Sequence, residues 1–518
     1  MKKRQQKTVL LLSMLAALSG GCFHAQDDEH VMAKAKYHVY AVDHSGYINI
    51  YGDDGEVYVG HLASIQPKNA NNEALGLGEV HFNKGKAFVI VQSNMTDSSG
   101  TVVGGGVIVV DVATQKVEHT IPFASNETAN ITRLVHSYPD PNGNYLWINN
   151  DGPSGNADAD SVFRFNWNLD DADDTDGDKY LDVTEIATGN GHKKGAFAFN
   201  DSNIANSVTV PLMFASHNLS DQSVSLINND PESQDFLNVT TIDFGPYVNG
   251  DTSLSNTPHG LEYSPLSGKF YIGITPGQDM GVAVIDANNL PADMAAVRAG
   301  SIMAGSDVSA NQVPAGGYIH TSMDHKFLYM VGKKDGKGYL SVIDATNDTV
   351  VDVIDYGNVS ASSFVFAHGE MDHGDTTMHI NKVYVGASVV TTNGAVDTTW
   401  AQNVIKVIEI DPATGGQKAG TEVKSITTDI GNGTAHRNGK GTPDGMHVYM
   451  PNGGGNCEDH ATMDADCSTI SVIETMGDKV ITKIKTQGHM PGSMGIVDVS
   501  DLTLMFTVGD HDQTAHTH

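Results

Sequence analysis

One unit recurs along this chain, and its recurrence narrows the possible folds more than any other feature. Its clearest copy opens with Thr257-Pro258-His259-Gly260-Leu261-Glu262-Tyr263-Ser264-Pro265. It continues after a turn with Lys269-Phe270-Tyr271-Ile272, and after another with Val282-Ala283-Val284-Ile285-Asp286. The next copy reads Tyr318-Ile319-His320-Thr321, Phe327-Leu328-Tyr329-Met330-Val331, Leu340-Ser341-Val342-Ile343-Asp344 and Thr349-Val350-Val351-Asp352-Val353-Ile354. Short apolar runs bounded by turn residues, with almost no helical periodicity, read as strands. Each unit is therefore a four-stranded sheet. Such a sheet cannot bury both faces alone, and tandem copies bury them against one another around a ring, as in a β-propeller.

The histidine opening each first strand marks the copies: His81, His136, His192, His259, His320, His368, His436 and His489. Their intervals run from 48 residues (His320 to His368) to 68 (His368 to His436). Compact propeller repeats take about 40–50 residues, so these units carry loop insertions. Third strands end an apolar run in an acid or amide, at Asp111, Asn228, Asp286, Asp344, Asp411 and Glu474. After His489 two strands fit, 494–499 and 502–508, and the N-terminal strands 37–42 and 46–51 complete that blade. The expected fold is all-β: one propeller over residues 37–508, with eight four-stranded blades closed by both chain ends. Seven blades is the alternative.

Composition limits the partners. The chain has 518 residues, with 62 Asp+Glu against 30 Lys+Arg and a formal charge of −32. Lys2, Lys3, Arg4 and Lys7 precede an apolar run, 8–18, too short to span a bilayer, and Ser19-Gly20-Gly21 leads to Cys22. Residues 1–21 read as an export signal of lipoprotein type, with Cys22 as the lipid acceptor. Its removal takes four cations and brings the charge to −36. Such a surface repels phosphate backbones, so nucleic acid is not an expected partner, and membrane contact is expected only through the lipid anchor. The periplasm or outer membrane follows as location. An oxidising compartment would pair Cys457 with Cys467.

Channel-mouth histidines carry the chemistry. First strands of a propeller line the central channel in the same direction, so the eight marker histidines are expected to form a ring at one mouth. Registers are clearest at His259, His320, His368, His436 and His489, which are expected to lead a zinc or copper ligand set. Glu370 and Asp372 are further donors. A histidine at such a turn also serves structurally, by bonding the backbone of its own blade. Histidines flank both ends, His24, His30, His38 and His44 before the blades and His511, His516 and His518 after, and residues 22–36 and 509–518 read as mobile arms. A second metal pattern is separate. Asp174, Asp176, Asp178, Asp182 and Glu185, with the Tyr180 carbonyl, have the 1, 3, 5, 9, 12 and 7 spacing of an EF-hand-like calcium loop, inserted at 170–185. Lys179 stands where that loop prefers Gly.

The Pro-His-Gly-x-x-x-Ser-Pro opening, the Phe-Tyr-Ile or Leu-Tyr-Met second strand and the Ser-Val-Ile-Asp third strand resemble YVTN-type propellers. That superfamily includes the propeller domain of nitrous oxide reductase and cytochrome d1-type domains. Thr257-Pro258-His259-Gly260 and Ile319-His320-Thr321 look like two histidine motifs of the reductase, but no cupredoxin domain with a Cys-rich copper pair is present, so reductase activity is not implied. Tyr37-His38-Val39-Tyr40-Ala41-Val42-Asp43-His44 and the export signal resemble periplasmic zinc metallochaperones of propeller fold, which implies metal carriage and a metal-transport binding protein as partner. No Gly-x-Ser-x-Gly elbow, phosphate loop or His-Glu-x-x-His occurs. Metal handling without catalysis is the expectation, and a cell-envelope protein- or glycan-interaction propeller with only structural calcium is the alternative.

Overall fold

The computed structural model describes residues 35–500 apart from 56, 97–99, 124–132, 152–160, 169–182, 246–255, 276–278, 315, 373–376, 390–402, 429–438, 453–468 and 489–490. Eight sheets make up the ring. Blades 1 to 7 follow one another over residues 76–122, 134–187, 195–243, 257–313, 316–357, 359–428 and 440–485. Each is an antiparallel meander whose first strand lies innermost. Blade 4 adds a short fifth strand, Gln312–Val313, parallel to Ile302–Ala304, after the helix Met294–Gly300 capped by Asp293.

The strands are apolar on both faces because each sheet is sandwiched between two others. Along Lys86–Thr96, Ala87, Val89 and Val91 pack with Tyr40, Ile48 and Ile50 of the N-terminal strands Tyr37–Asp43 and Ile48–Asp53, while Phe88 and Ile90 pack with Leu146, Phe163 and Trp167 of blade 2. Period-2 alternation thus separates neighbours rather than core from solvent. The acid or amide ending each third strand caps a turn. Asn228, Asp286, Asp344 and Asp411 each accept the backbone N–H two residues on, at 2.8–2.9 Å.

Ring closure differs from expectation in its strand count. Blade 8 takes one strand from the C-terminal side, Pro491–Asp498, and three from the N-terminal side, Tyr37–Asp43, Ile48–Asp53 and Tyr58–Ile65. Tyr37–Asp43 pairs with Pro491–Asp498 on one side (Tyr37↔Asp498 to Val42↔Ser493) and with Ile48–Asp53 on the other. Both of its edges are filled, leaving no place beside it for a second C-terminal strand. Residues 502–508 lie outside the described residues. His38, one of the histidines flanking the N-terminal end, is buried in this strand, and burial lowers its pKa to about 4.

A recurrent pair of side chains ties successive blades. Lys269 and Tyr271, at the start of the second strand of blade 4, both bond Asp348 in the outer turn of blade 5, the tyrosine at 2.7 Å. Lys382 and Tyr384 of blade 6 do the same to Asp478 of blade 7, at 2.8 and 2.7 Å. At the joint between blade 7 and the closing blade the motif is His447-Val448-Tyr449, and His447 Nδ1 lies 2.8 Å from Asp53 Oδ2, which also accepts from Tyr449. A titratable imidazole stands where those two joints have lysine. Burial lowers the His447 pKa, but the hydrogen bond and charge of Asp53 outweigh it and the net shift is upward.

A group with a raised folded-state pKa stabilises most below its unfolded value of about 6.5, and loses that contribution as pH rises through the folded value. Asp53→Asn should therefore lower Tm by several degrees at about pH 6 and by less at about pH 9, followed by circular dichroism. An equal loss at both pH values would show that His447 is not the charged partner at this joint.

Candidate functional site

Bulges shape the channel mouth. The first strands of blades 1, 2, 4 and 5 each slip register near their starts, between Leu77 and Val80, Leu134 and Ser137, Pro258 and Gly260, and Gly316 and Ile319. Within these slips lie Glu79, His136, His259 and Tyr318. A bulge re-aims the side chain it carries, which is why these residues depart from strict alternation.

Carboxylates of one blade then hold imidazoles of the next. Glu79 of blade 1 lies 2.7 Å from His136 Nδ1 with one oxygen and accepts the Ser137 N–H at 2.7 Å with the other. Asp151, just after the second strand of blade 2, repeats the grip. It lies 2.5 Å from His192 Nδ1 and accepts the Lys193 N–H at 3.0 Å. Each carboxylate engages Nδ1 of its ring and leaves Nε2 as the nitrogen it does not hold. Gly191 makes the approach of His192 possible: its φ is +103°, and a Cβ there would meet Ser220 at 2.4 Å.

Four rings converge. His136 and His192 have centroids 5.0 Å apart, and His192 lies 6.0 Å from His259 and 6.1 Å from His217. His217, on the second strand of blade 3, is fully buried, and among the described residues neither of its nitrogens has a hydrogen-bond partner. His259 Nδ1 is also unpartnered and abuts Gly317, where a Cβ would come within 2.8 Å of it. Lys194, 6% exposed, places its ammonium 5.1 Å from the centroid of the Tyr318 ring.

Electrostatics disfavour the charged form of His136, His217 and His259. Burial, then neighbouring positive charge including Lys194, pushes His136 and His217 well below the ordinary histidine range and His259 to about 3. Burial likewise lowers Lys194 to about 8 and raises Glu79. Neutral imidazole is the metal-binding form. As placed, no group of three or more His, Cys, Asp or Glu among the described residues has donors gathered tightly enough to hold an ion.

The expected eightfold equivalence does not hold. His81 and His320 share one register position, opposite Phe88 and Tyr329, but in other blades Tyr138, Glu262, Val365 and Lys440 occupy it. His81 Nε2 lies 2.8 Å from Ser137 Oγ and so braces the residue after His136. His320, expected to lead, sits deeper, 3.3 Å from Glu262 and packed on Phe364 and Phe366. Burial raises that glutamate to about 8. His368 is exposed at the opposite end of its strand, opposite Asn381, beside a cavity of about 130 Å³ that also touches Ser322 and Phe327. It belongs to the other face of the ring because the long hairpin of blade 6 carries it past the position of His320. Glu370 and Asp372 continue that hairpin, in backbone register with His379 and Thr377, and their side chains lie outside the described residues.

His436 and His489 also lie outside the described residues, as do Asp174, Asp176, Asp178, Tyr180 and Asp182 of the calcium loop. Glu185, its last donor, is exposed on the outer strand of blade 2, opposite Phe163. His217 escaped the sequence reading because it lies on a second strand. Its only signal is a Ser-His-Asn ending to an otherwise apolar run.

No protein-family model and no curated protein matches this chain. Among solved structures it is similar to Dihydro-heme d1 dehydrogenase NirN in complex with DHE, at 12% identity and a TM-score of 0.50, covering 94% of this chain and 78% of that one. It is also similar to Hydrazine Synthase of Kuenenia stuttgartiensis (16%, TM-score 0.42, 69% and 88%) and to apo AztD from Citrobacter koseri (13%, TM-score 0.42, 89% and 97%). At these identities the likeness is one of fold.

The depressed imidazole pKa values have a measurable sign. Groups whose folded pKa lies below the unfolded one stabilise the protein above about pH 6.5, and that contribution drains away as pH falls toward the folded value. The ring resonances of His217 and His259 should stay those of neutral imidazole from about pH 7 down to about pH 5 in NMR titrations, while Tm declines over that interval. Ordinary titration near 6.5 would show these rings to be solvated.

Proposed function

We propose that this chain is an exported YVTN-type propeller that binds zinc or copper at the mouth of blades 1 to 4, through His136, His192, His217 and His259, and carries the ion rather than catalysing a reaction. The observation behind this reading is the pairing of two carboxylate-backed imidazoles with a fully buried His217 that has no hydrogen-bond partner among the described residues. A buried polar group without a partner is costly, and a metal ion would give it one. Metal-ligating histidines characteristically donate their second nitrogen to a carboxylate, as His136 and His192 do.

With a metal–nitrogen distance of about 2.0–2.1 Å, two imidazoles on one tetrahedral ion have centroids about 5 Å apart. His136 and His192 stand at that spacing, 5.0 Å, whereas His259 and His217, 6.0 and 6.1 Å from His192, must move closer to share an ion. Gathering the donors needs rotation of His217, which no hydrogen bond restrains, and of His259, whose Nδ1 is unbound. A site completed only by moving two rings releases its ion readily, which suits transfer to a metal-transport binding protein. Export rests on residues 1–22, with lipidation at Cys22 and residence in the periplasm or outer membrane. Among the described residues no helix is long and apolar enough to cross a membrane. Calcium at the 174–185 loop would order the insertion in blade 2.

Metal-free protein should take up zinc or copper(I) with at least about micromolar affinity in competition titrations with a chromogenic chelator. His192→Ala with His217→Ala should abolish this, and Asp151→Asn should weaken it by about 10–100-fold with circular dichroism unchanged. A parent protein that binds neither ion, or a double variant that binds as tightly, refutes the assignment. Separately, Glu185→Ala should weaken calcium binding at least about tenfold, read by terbium luminescence, and unchanged affinity would refute the calcium loop.

A further inference from the structure

We infer that the cavity between blades 5 and 6 is a binding site for a small primary ammonium with a compact apolar body. The inference stands apart from the metal reading, since none of His136, His192, His217 and His259 lines this cavity.

The joint between these blades departs from the two flanking joints at both members of their ion pair. Lys269 and Asp348 tie blade 4 to blade 5, and Lys382 and Asp478 tie blade 6 to blade 7. Those aspartates lie four residues after Asp344 and Glu474, the acids that end third strands, with φ of +59° and +53°. Four residues after Asp411 comes Gly415 instead, with φ of +71°. Phe327 stands two residues before Tyr329, where Lys269 and Lys382 stand two before Tyr271 and Tyr384. The tyrosine still reaches across, donating to the Gly415 carbonyl at 2.8 Å. A Cβ at Gly415 would run into the Phe327 ring, so the two replacements fit each other. An aromatic ring on bare backbone thus replaces a salt bridge, and a cavity of about 130 Å³ lies beside it.

The lining sets the chemistry of the ligand. Phe327, Tyr329, Phe366 and Ile410 supply apolar surface. A cavity of about 150 Å³ holds one benzene ring, so the body of the ligand is a single small ring or its equivalent. Several donors of the lining are already occupied. The Ser322 hydroxyl donates to Asp324 Oδ1 at 2.6 Å, the Tyr329 hydroxyl to Gly415, and Asn381 Nδ2 to the Ile410 carbonyl at 3.3 Å. Acceptors remain: among the described residues, Asp324 Oδ2 and Asn381 Oδ1 accept no hydrogen bond. An ammonium has three donors and no acceptor, which matches such a set. Aromatic faces add attraction for a cation, as the Lys326 ammonium shows by standing 4.8 Å from the Phe327 centroid while it bonds the Ala413 carbonyl. No lysine or arginine lines the cavity, so an anion would meet Asp324 without a lining cation to offset it.

Benzylamine is the probe, with benzyl alcohol and benzoate as its uncharged and anionic counterparts. Ligand-observed NMR titrations should give one saturable benzylamine site with a Kd of about 1 mM or below, and at least about tenfold weaker binding of the other two. Asp324→Asn keeps the Oδ1 acceptor at an exposed position and should weaken benzylamine at least about tenfold while leaving benzyl alcohol unchanged. Phe327→Lys with Gly415→Asp rebuilds the pair of the flanking joints and should abolish benzylamine binding, with circular dichroism checking the fold. Asp324→Asn decides the question if that double variant does not fold. Benzyl alcohol bound as tightly as benzylamine, or unchanged benzylamine affinity in Asp324→Asn, overturns the inference. So does benzylamine binding that never saturates, which is the general attraction of an acidic chain for cations.

Discussion

Closure of the ring is the constraint on which the rest of this structure depends. Each blade is apolar on both faces and is buried only while a neighbour stands on either side, so an open ring would expose two such faces at once. The antiparallel pairing of Tyr37–Asp43 with Pro491–Asp498 joins chain ends separated by more than 440 residues of sequence. Asp53 then ties this composite blade to blade 7 through His447 and Tyr449. Joining distant segments costs loop-closure entropy that grows only slowly with length. One strand ladder and one buried polar joint, added to packing on both faces, are therefore set against a modest additional cost.

The same inter-blade geometry generates the candidate site. Because adjacent first strands run side by side into the mouth, a carboxylate of one blade reaches the backbone N–H and imidazole presented by the next. Glu79 and Asp151 both use that reach. His136, His217 and His259 are thus placed by strands, and His192 by the segment just before the Gly195–Ala198 strand. The lowered pKa values of His217 and His259 follow from the same burial, since removing an imidazolium from water is expensive, and neighbouring positive charge including Lys194 makes it more so. Positioning and electrostatics thus have one cause.

The marker histidines show why part of the site was legible in advance and part was not. His136, His192 and His259 stood out as members of a repeat and do meet at one mouth. His320 and His368 belong to equally clear repeats, yet one packs among aromatic rings and the other emerges on the opposite face. A repeat locates a residue along the chain to within a few positions, whereas the face and depth of a strand residue change with every single-residue slip. The bulges around His136 and His259 are such slips, and they leave little trace in residue type. His217 was hidden for another reason: second strands are not expected to reach the channel, and only the shortness of the Gly195–Ala198 strand beside it brings the ring of His217 to the mouth.

What the sequence determined by itself is the architecture: short apolar runs, turn-capping acids at third-strand ends and a period matching four strands per unit. These are local properties, and each is decided within a dozen residues. The period pointed to eight blades closed by both chain ends but left seven open, and the eight sheets of the ring decide between them. Tertiary structure alone decided how the closing blade divides into one strand and three, which histidines share a mouth, and that Glu79 and Asp151 stand behind two of them. Those facts depend on register between strands and contact between blades, where partners lie tens to hundreds of residues apart and no local pattern encodes their meeting.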